Sequence, residues 1–150
     1  MTERGEGEQM RGSVRPSFRG LDVLAVGAFG GLGSLVRWAA GEGLPKAGVP
    51  WGTVAVNLAG AFGMGLLAEA VRRDRSPESA RRLLWYGTGF LGGLTTFSAF
   101  SGEAVHLGAG AGIGYGVFSL LAGWAALRAG RRLSAGASGR SAAERRAGQR

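Results

Sequence analysis

The chain has no cysteine, which excludes disulfides and thiolate metal sites and leaves its redox compartment unread. Histidine occurs once, so a histidine metal cluster is excluded as well. Acidic residues are missing from the middle of every long apolar block. With no paired carboxylates and no nucleophile triad, catalysis has no supporting constellation. A proton-coupled exporter of the small four-span type would need a carboxylate deep in a span, and none is there. The opening MTERGEGEQMRGSVRPSFRG has no apolar core and no cleavage pattern, so it is not read as a cleaved signal peptide.

What the chain does have is apolar residues, 45% of its 150, gathered into four blocks with the charges between and outside them. The blocks run at 21–40, 51–71, 83–107 and 109–129. Each is long enough, at about 1.5 Å per helical residue, to cross a hydrocarbon core of about 30 Å. Buried helices of soluble bundles keep a charged stripe, and these blocks have none. The expectation is an all-α membrane protein with four transmembrane helices spanning a domain at 21–130. Residues 1–20 are read as a disordered arm, and 131–150, RRLSAGASGRSAAERRAGQR, as a disordered basic tail. Glycine is abundant, 30 residues. In a membrane bundle it permits close helix approach, and Gly30, Gly33, Gly60, Gly63, Gly65, Gly110, Gly114 and Gly116 are read that way.

A net charge of +8 ordinarily raises nucleic acid as a partner, but here the arginines flank apolar segments. Arg4, Arg11, Arg15 and Arg19 precede the first block, and Arg72, Arg73, Arg75, Arg81 and Arg82 lie between the second and third. Arg128, Arg131, Arg132, Arg140, Arg145, Arg146 and Arg150 end the chain. Against these sixteen, Lys46 stands alone in the other loops, and Arg37 lies within the first block. The positive-inside rule then puts both termini in the cytoplasm of a multi-pass cell-membrane protein.

Polar side chains inside spans need a partner or a purpose. Asn57 lies at the centre of the second block, with Thr53 one turn earlier on the same face. It either ties neighbouring helices together or lines a path. The third block holds GGLTTFSAF, Gly92 to Phe100, where two glycines and two β-branched threonines make poor continuous helix. The stretch reads as a helix broken in mid-membrane to expose backbone, which is tolerated where that backbone is buried in protein or lines a cavity. Phe97 and Phe100 then share a face, either as ordinary packing or as electropositive ring edges turned to an anion. Ser98 and Ser101 add hydroxyls to this block. Tyr115 and Ser119 sit one turn apart in the fourth block, as a further polar track or as an interface pair. Arg37, near the end of its span, is read as structural, with snorkelling outward open to it. Glu69 and Glu103 are read as interfacial, and His106 is given no role.

These motifs carry a resemblance. GGLGSLVRW at Gly30–Trp38, GTVAVNLAGAF at Gly52–Phe62 and GFLGGLTTFSAF at Gly89–Phe100 resemble the signatures of the Fluc/CrcB fluoride channel family, across all four spans. The resemblance implies an antiparallel dimer, of dual-topology type, with two fluoride pores that export the ion passively from the cytoplasm. It assigns Asn57, Phe97 and Phe100 to the pore lining and Thr96, Ser98 and Ser119 to its hydroxyl track, which Tyr115 would extend. It places a Na⁺ at the dimer interface on the backbone carbonyls of Gly92 and Thr95, and Arg37 near a vestibule. Ala61, Trp38 and Gly123 depart from the family's usual residues. The arginine bias implies a partner of the same family with reversed orientation. A non-conducting subunit is the alternative, because intact motifs mark lineage more surely than activity.

Overall fold

A computed structural model describes residues 20–44, 48–74 and 76–147, with side chains as far as Ala137. Among the described residues every regular element is helical. α1 runs Gly20–Gly43, α2 Trp51–Arg73 and α3 Pro77–Arg82. A π-helical segment, Leu83–Leu91, continues from α3 into the short α4, Gly92–Leu94; α5 covers Phe97–His106 and α6 Ala109–Ala147. Among the described residues three stretches are long and apolar enough to cross a membrane: Gly20–Gly43, Trp51–Arg73 and Ala109–Ala137. The blocks read at 21–40, 51–71 and 109–129 fall on them. The block at 83–107 forms no single helix and is divided among the π-helical segment, α4 and α5.

The elements pack as two pairs, α2 along α6 and α1 along the π-helical segment and α4. Glycine sets how closely they approach. A methyl group at Gly65 would collide with the Leu127 carbonyl, and one at Gly130 with the Phe62 carbonyl. In the other pair, Gly33 lies against the Phe90 carbonyl and Gly93 against that of Gly30. Backbone here touches backbone, and a membrane bundle gains its cohesion from such packing. Gly110 and Gly114 depart from the sequence reading, with nothing within 4 Å of a side chain built there. Gly33→Ala is expected to lower the melting temperature in detergent, since a carbonyl cannot yield as a side chain can; overpacking of this kind costs about 1–3 kcal/mol. Gly31→Ala, where nothing lies within 4 Å, is the control that should leave the melt unchanged or slightly raised.

Polar ties hold the arginine-rich end. Ser76 caps α3 by accepting from the Ser79 N–H at 3.2 Å, with Pro77 in the first turn. Hydrogen bonds from Ser79 and then Ser76 hold the Asp74 carboxyl below its ordinary range. Asp22, only 3% exposed, accepts from Arg81 Nη2 at 3.0 Å and Trp85 Nε1 at 3.1 Å, joining α1 to the π-helical segment.

The tail read as disordered at 131–150 is instead helical as far as Ala147, and 148–150 lie outside the described residues. Its docking accompanies the extension: Gly130 lies on the α2 backbone and Arg131 reaches within 4.0 Å of Glu69, and the alanines and arginines beyond are good helix formers. The arm at 1–20 lies outside the described residues except for Gly20, which opens α1.

Candidate functional site

The helical path of the third block stops at Thr95 and Thr96, whose backbones are extended at φ −79°, ψ 153° and φ −146°, ψ 123°. Of the glycines and threonines to which the sequence reading attributed a break, only the threonines are extended. Gly92 and Gly93 are helical, and Gly93 is small because it lies on Gly30. Helical bonding ends at Thr95, whose N–H still reaches the Leu91 carbonyl at 3.0 Å, and the threonine hydroxyls brace the two sides of the interruption. Thr95 Oγ1 donates to the Leu91 carbonyl at 2.9 Å, and Thr96 Oγ1 caps α5 by accepting from Ala99 N–H at 3.2 Å. Extended backbone in an apolar surrounding must still satisfy its N–H and C=O. Asn57 of α2 does this for Thr96. Its Oδ1 accepts from the Thr96 N–H at 2.8 Å and its Nδ2 donates to the Thr96 carbonyl at 3.1 Å. One side-chain amide thus pairs with the chain as a neighbouring strand would.

The interruption opens a groove of about 410 Å³ beside it, lined by Asn57, Thr96, Phe97, Phe100 and Ser119 among others. Phe97 and Phe100 have ring centroids 5.8 Å apart, and Phe100 lies 5.2 Å from Tyr115. Phe97 is 78% exposed, so the groove is open along that side. The Ser119 hydroxyl is buried with no hydrogen-bond partner among the described residues. Ser98 does not line the groove; its Oγ lies 3.2 Å from Thr96 Oγ1. Ring edges, hydroxyls and the N-terminal end of α5 all present partial positive charge. Such a lining attracts a small anion without the full charge that would trap it.

Tyr115 and Thr53 meet at a residue that the sequence reading left at the interface. Glu103 accepts from Thr53 Oγ1 at 2.6 Å and from Tyr115 Oη at 2.9 Å. Glu103, Thr53 and His106 line a second cavity of about 380 Å³. His106 Nδ1 donates to the Gly102 carbonyl at 2.8 Å. The signal that would have found Glu103 is spacing: Phe97, Phe100 and Glu103 recur every three residues along α5. Glu103→Gln keeps an acceptor for one hydroxyl and removes the negative charge beside Phe100. It is expected to keep the fold and change anion flux by about tenfold or less, since a single screened charge contributes on the order of 1 kcal/mol. An ion-flux assay run beside a thermal melt measures both.

Of the alternatives for Arg37, the snorkelling one is not seen: its Nη1 donates to the Thr95 carbonyl at 3.4 Å, pointing into the break. The Gly92 carbonyl has lost its ordinary helical donor, because the Thr96 N–H four residues on goes to Asn57. Carbonyl oxygens are hard donors of the type Na⁺ takes. Gly92 and Thr95 therefore suit such an ion in kind. Two oxygens from one chain are fewer than a cation's shell needs.

Apolar spanning helices around a polar groove make an integral membrane protein. Residues 24–131 match the family model described as "CrcB-like protein, Camphor Resistance (CrcB)", and the chain belongs to that family. Among curated relatives, a protein of Bordetella petrii named "Fluoride-specific ion channel FluC" is 44% identical over 108 residues, 71% of this chain and 79% of its own. One of the same name from Rhizobium leguminosarum bv. trifolii is 41% identical over 123 residues, covering 73% and 98% of the two chains. A third, from Rhizobium johnstonii, is 43% identical over 117 residues, covering 68% and 93%.

Proposed function

We propose that this chain is a subunit of a fluoride-selective channel that lets the ion leave the cytoplasm down its gradient and so lowers its toxicity. It is a channel and not an enzyme, in keeping with its family and its named relatives. The observation that carries the reading is Asn57's double hydrogen bond to Thr96, which braces the interruption beside a groove also lined by Phe97, Phe100 and Ser119. Fluoride is small and strongly hydrated, so a path must replace its water with donors and ring edges at close range. A narrow bore with short donor distances then disfavours chloride.

In this reading the interrupted stretch 83–107 is a fourth membrane crossing, and the arginine bias of the sequence, sixteen against Lys46, favours both termini in the cytoplasm. The groove, open along Phe97, is completed by a second subunit in antiparallel orientation. The carbonyls of Gly92 and Thr95, with their counterparts in that subunit, would hold a structural Na⁺ that raises the potential felt by anions nearby. Because a strict homodimer of this kind needs one sequence inserted both ways, the arginine bias favours a homologous partner with the reverse bias. A topology assay that finds this chain in both orientations when expressed alone would remove the need for that partner.

The test of the channel is efflux from liposomes containing the purified chain, followed with a fluoride electrode beside a chloride control. Rapid fluoride efflux without chloride efflux is the expected result, from the chain alone or with its partner. Equal fluxes of the two ions would overturn selectivity.

A further inference from the structure

At the arginine-rich end of α2 the charges do not balance. Glu69 is 4% exposed and is bound by three guanidinium groups. Arg72 meets it with two hydrogen bonds, Nε to Oε2 at 3.0 Å and Nη2 to Oε1 at 2.6 Å. Arg73 Nε donates to Oε1 at 2.9 Å, and Arg131 Nε lies 4.0 Å from Oε2. One carboxylate thus gathers three cations and leaves a surplus of two. The guanidinium-bearing side chains of Arg72 and Arg131 keep 60% and 52% of their surface exposed. Glu69 does not neutralise this cluster so much as gather it, with Arg131 carried on α6 beyond Gly130.

Beside the cluster lies an apolar groove of about 450 Å³, between α2, the π-helical segment and α6, lined by Leu66, Leu67, Ala70, Tyr86, Phe90 and Ser134 with two neighbours. Ala70 is one turn from Arg73 on α2, and Ser134 one turn from Arg131 on α6, so the groove leads toward the arginines. None of these residues belongs to the fluoride groove apart from Leu91, which touches both.

We propose that this end of the bundle is a binding site for an anionic phospholipid, with an acyl chain in the groove and the phosphate on Arg73 and Arg131. Charge complementarity selects the headgroup: two surplus positive charges favour a net negative lipid over a zwitterionic one. The apolar groove selects lipid over free phosphate, which would gain nothing from Leu66, Leu67 and Phe90. Guanidinium groups bind phosphate oxygens through paired N–H donors, so arginine suits the site better than lysine. The proposal rests on residence in a bilayer and not on the ion conducted.

The experiment is a thermal melt of the full chain in neutral detergent with added phosphatidylglycerol, phosphatidylcholine or inorganic phosphate. Phosphatidylglycerol is expected to raise the melting temperature by several degrees, with the other two having little effect. Arg73→Gln with Arg131→Gln should remove most of that rise, and Ala70→Trp, which fills the groove and leaves the arginines in place, should reduce it. An equal rise with phosphatidylcholine or phosphate, or a full rise in the double variant, would overturn the site. So would the absence of any rise, the result expected if a second copy of the chain covers the groove. Should the double variant not fold, lipid retained by the wild-type chain in native mass spectrometry decides: phosphatidylglycerol held in preference to phosphatidylcholine supports the site, and no preference ends it. Fluoride efflux is measured separately, so loss of the channel reading would leave the lipid result standing.

Discussion

Asn57→Ala is expected to lower fluoride efflux at least a hundredfold and to reduce the yield of folded protein. Among the described residues it is the side chain that bonds both backbone groups of Thr96, at 2.8 and 3.1 Å. Alanine leaves that N–H and that C=O without partners in an apolar setting, at about 1–3 kcal/mol each, a cost to the fold that accounts for the lower yield. The fall in flux follows from losing the amide from the groove and the local geometry that it holds, and a hundredfold fall corresponds to a barrier higher by about 2.7 kcal/mol. Asn57→Asp separates the two contributions. It keeps an acceptor for the Thr96 N–H, loses the donor and introduces an anion, so it should fold better than the alanine variant and conduct as little. Electrode-monitored efflux beside a thermal melt reads both effects. Wild-type efflux from Asn57→Ala would show that the amide neither holds the break nor lines the path.

Phe100→Ile is expected to abolish most fluoride efflux, again by about a hundredfold, while moving the melting temperature by only a few degrees. Phe100 lies between Phe97 at 5.8 Å and Tyr115 at 5.2 Å, facing the same groove as Asn57 and Ser119. Isoleucine retains apolar bulk, and swaps that nearly conserve volume cost less than about 1.5 kcal/mol. What it lacks is the electropositive ring edge. If Phe100 were packing alone, the variant would conduct. Its loss of flux with a retained fold identifies the ring, and the chloride control shows whether selectivity or only rate has gone.

The sequence exposed the parts of the fold that depend on composition. Long apolar blocks whose few charges lie toward their ends mark α1, α2 and α6, because a membrane helix must be apolar nearly all round, a condition visible without any partner. In the stretch GGLTT the extended backbone falls on Thr95 and Thr96, where threonine hydroxyls and Asn57 can take up the freed groups, while Gly92 and Gly93 stay helical; local propensity does not separate the two pairs. Gly93 is explained by Gly30, which is 63 residues away in the chain and so invisible to local reading. Asn57, Thr96, Phe97, Phe100 and Ser119 were singled out from sequence and do meet in space. Glu103 was passed over because a carboxylate near a span end is ordinarily interfacial. Only the approach of α2 and α6 makes it the acceptor for Thr53 and Tyr115. The helix through Ala147 was missed for a similar reason, since its anchoring by Gly130 and Arg131 is a tertiary matter.

The Asn57–Thr96 pairing also bears on how such a protein can change over generations. The amide that holds the backbone open also faces the groove, so a substitution that altered its chemistry toward the ion would disturb the scaffold at once. That position is closed to gradual adjustment. Ser119 and Ala61 are in a different situation: both face the same groove, and no described hydrogen bond uses either side chain. Drift, and deliberate redesign of which anion passes, therefore have their open avenues along α6 and the neighbouring turn of α2, while Asn57 is retained.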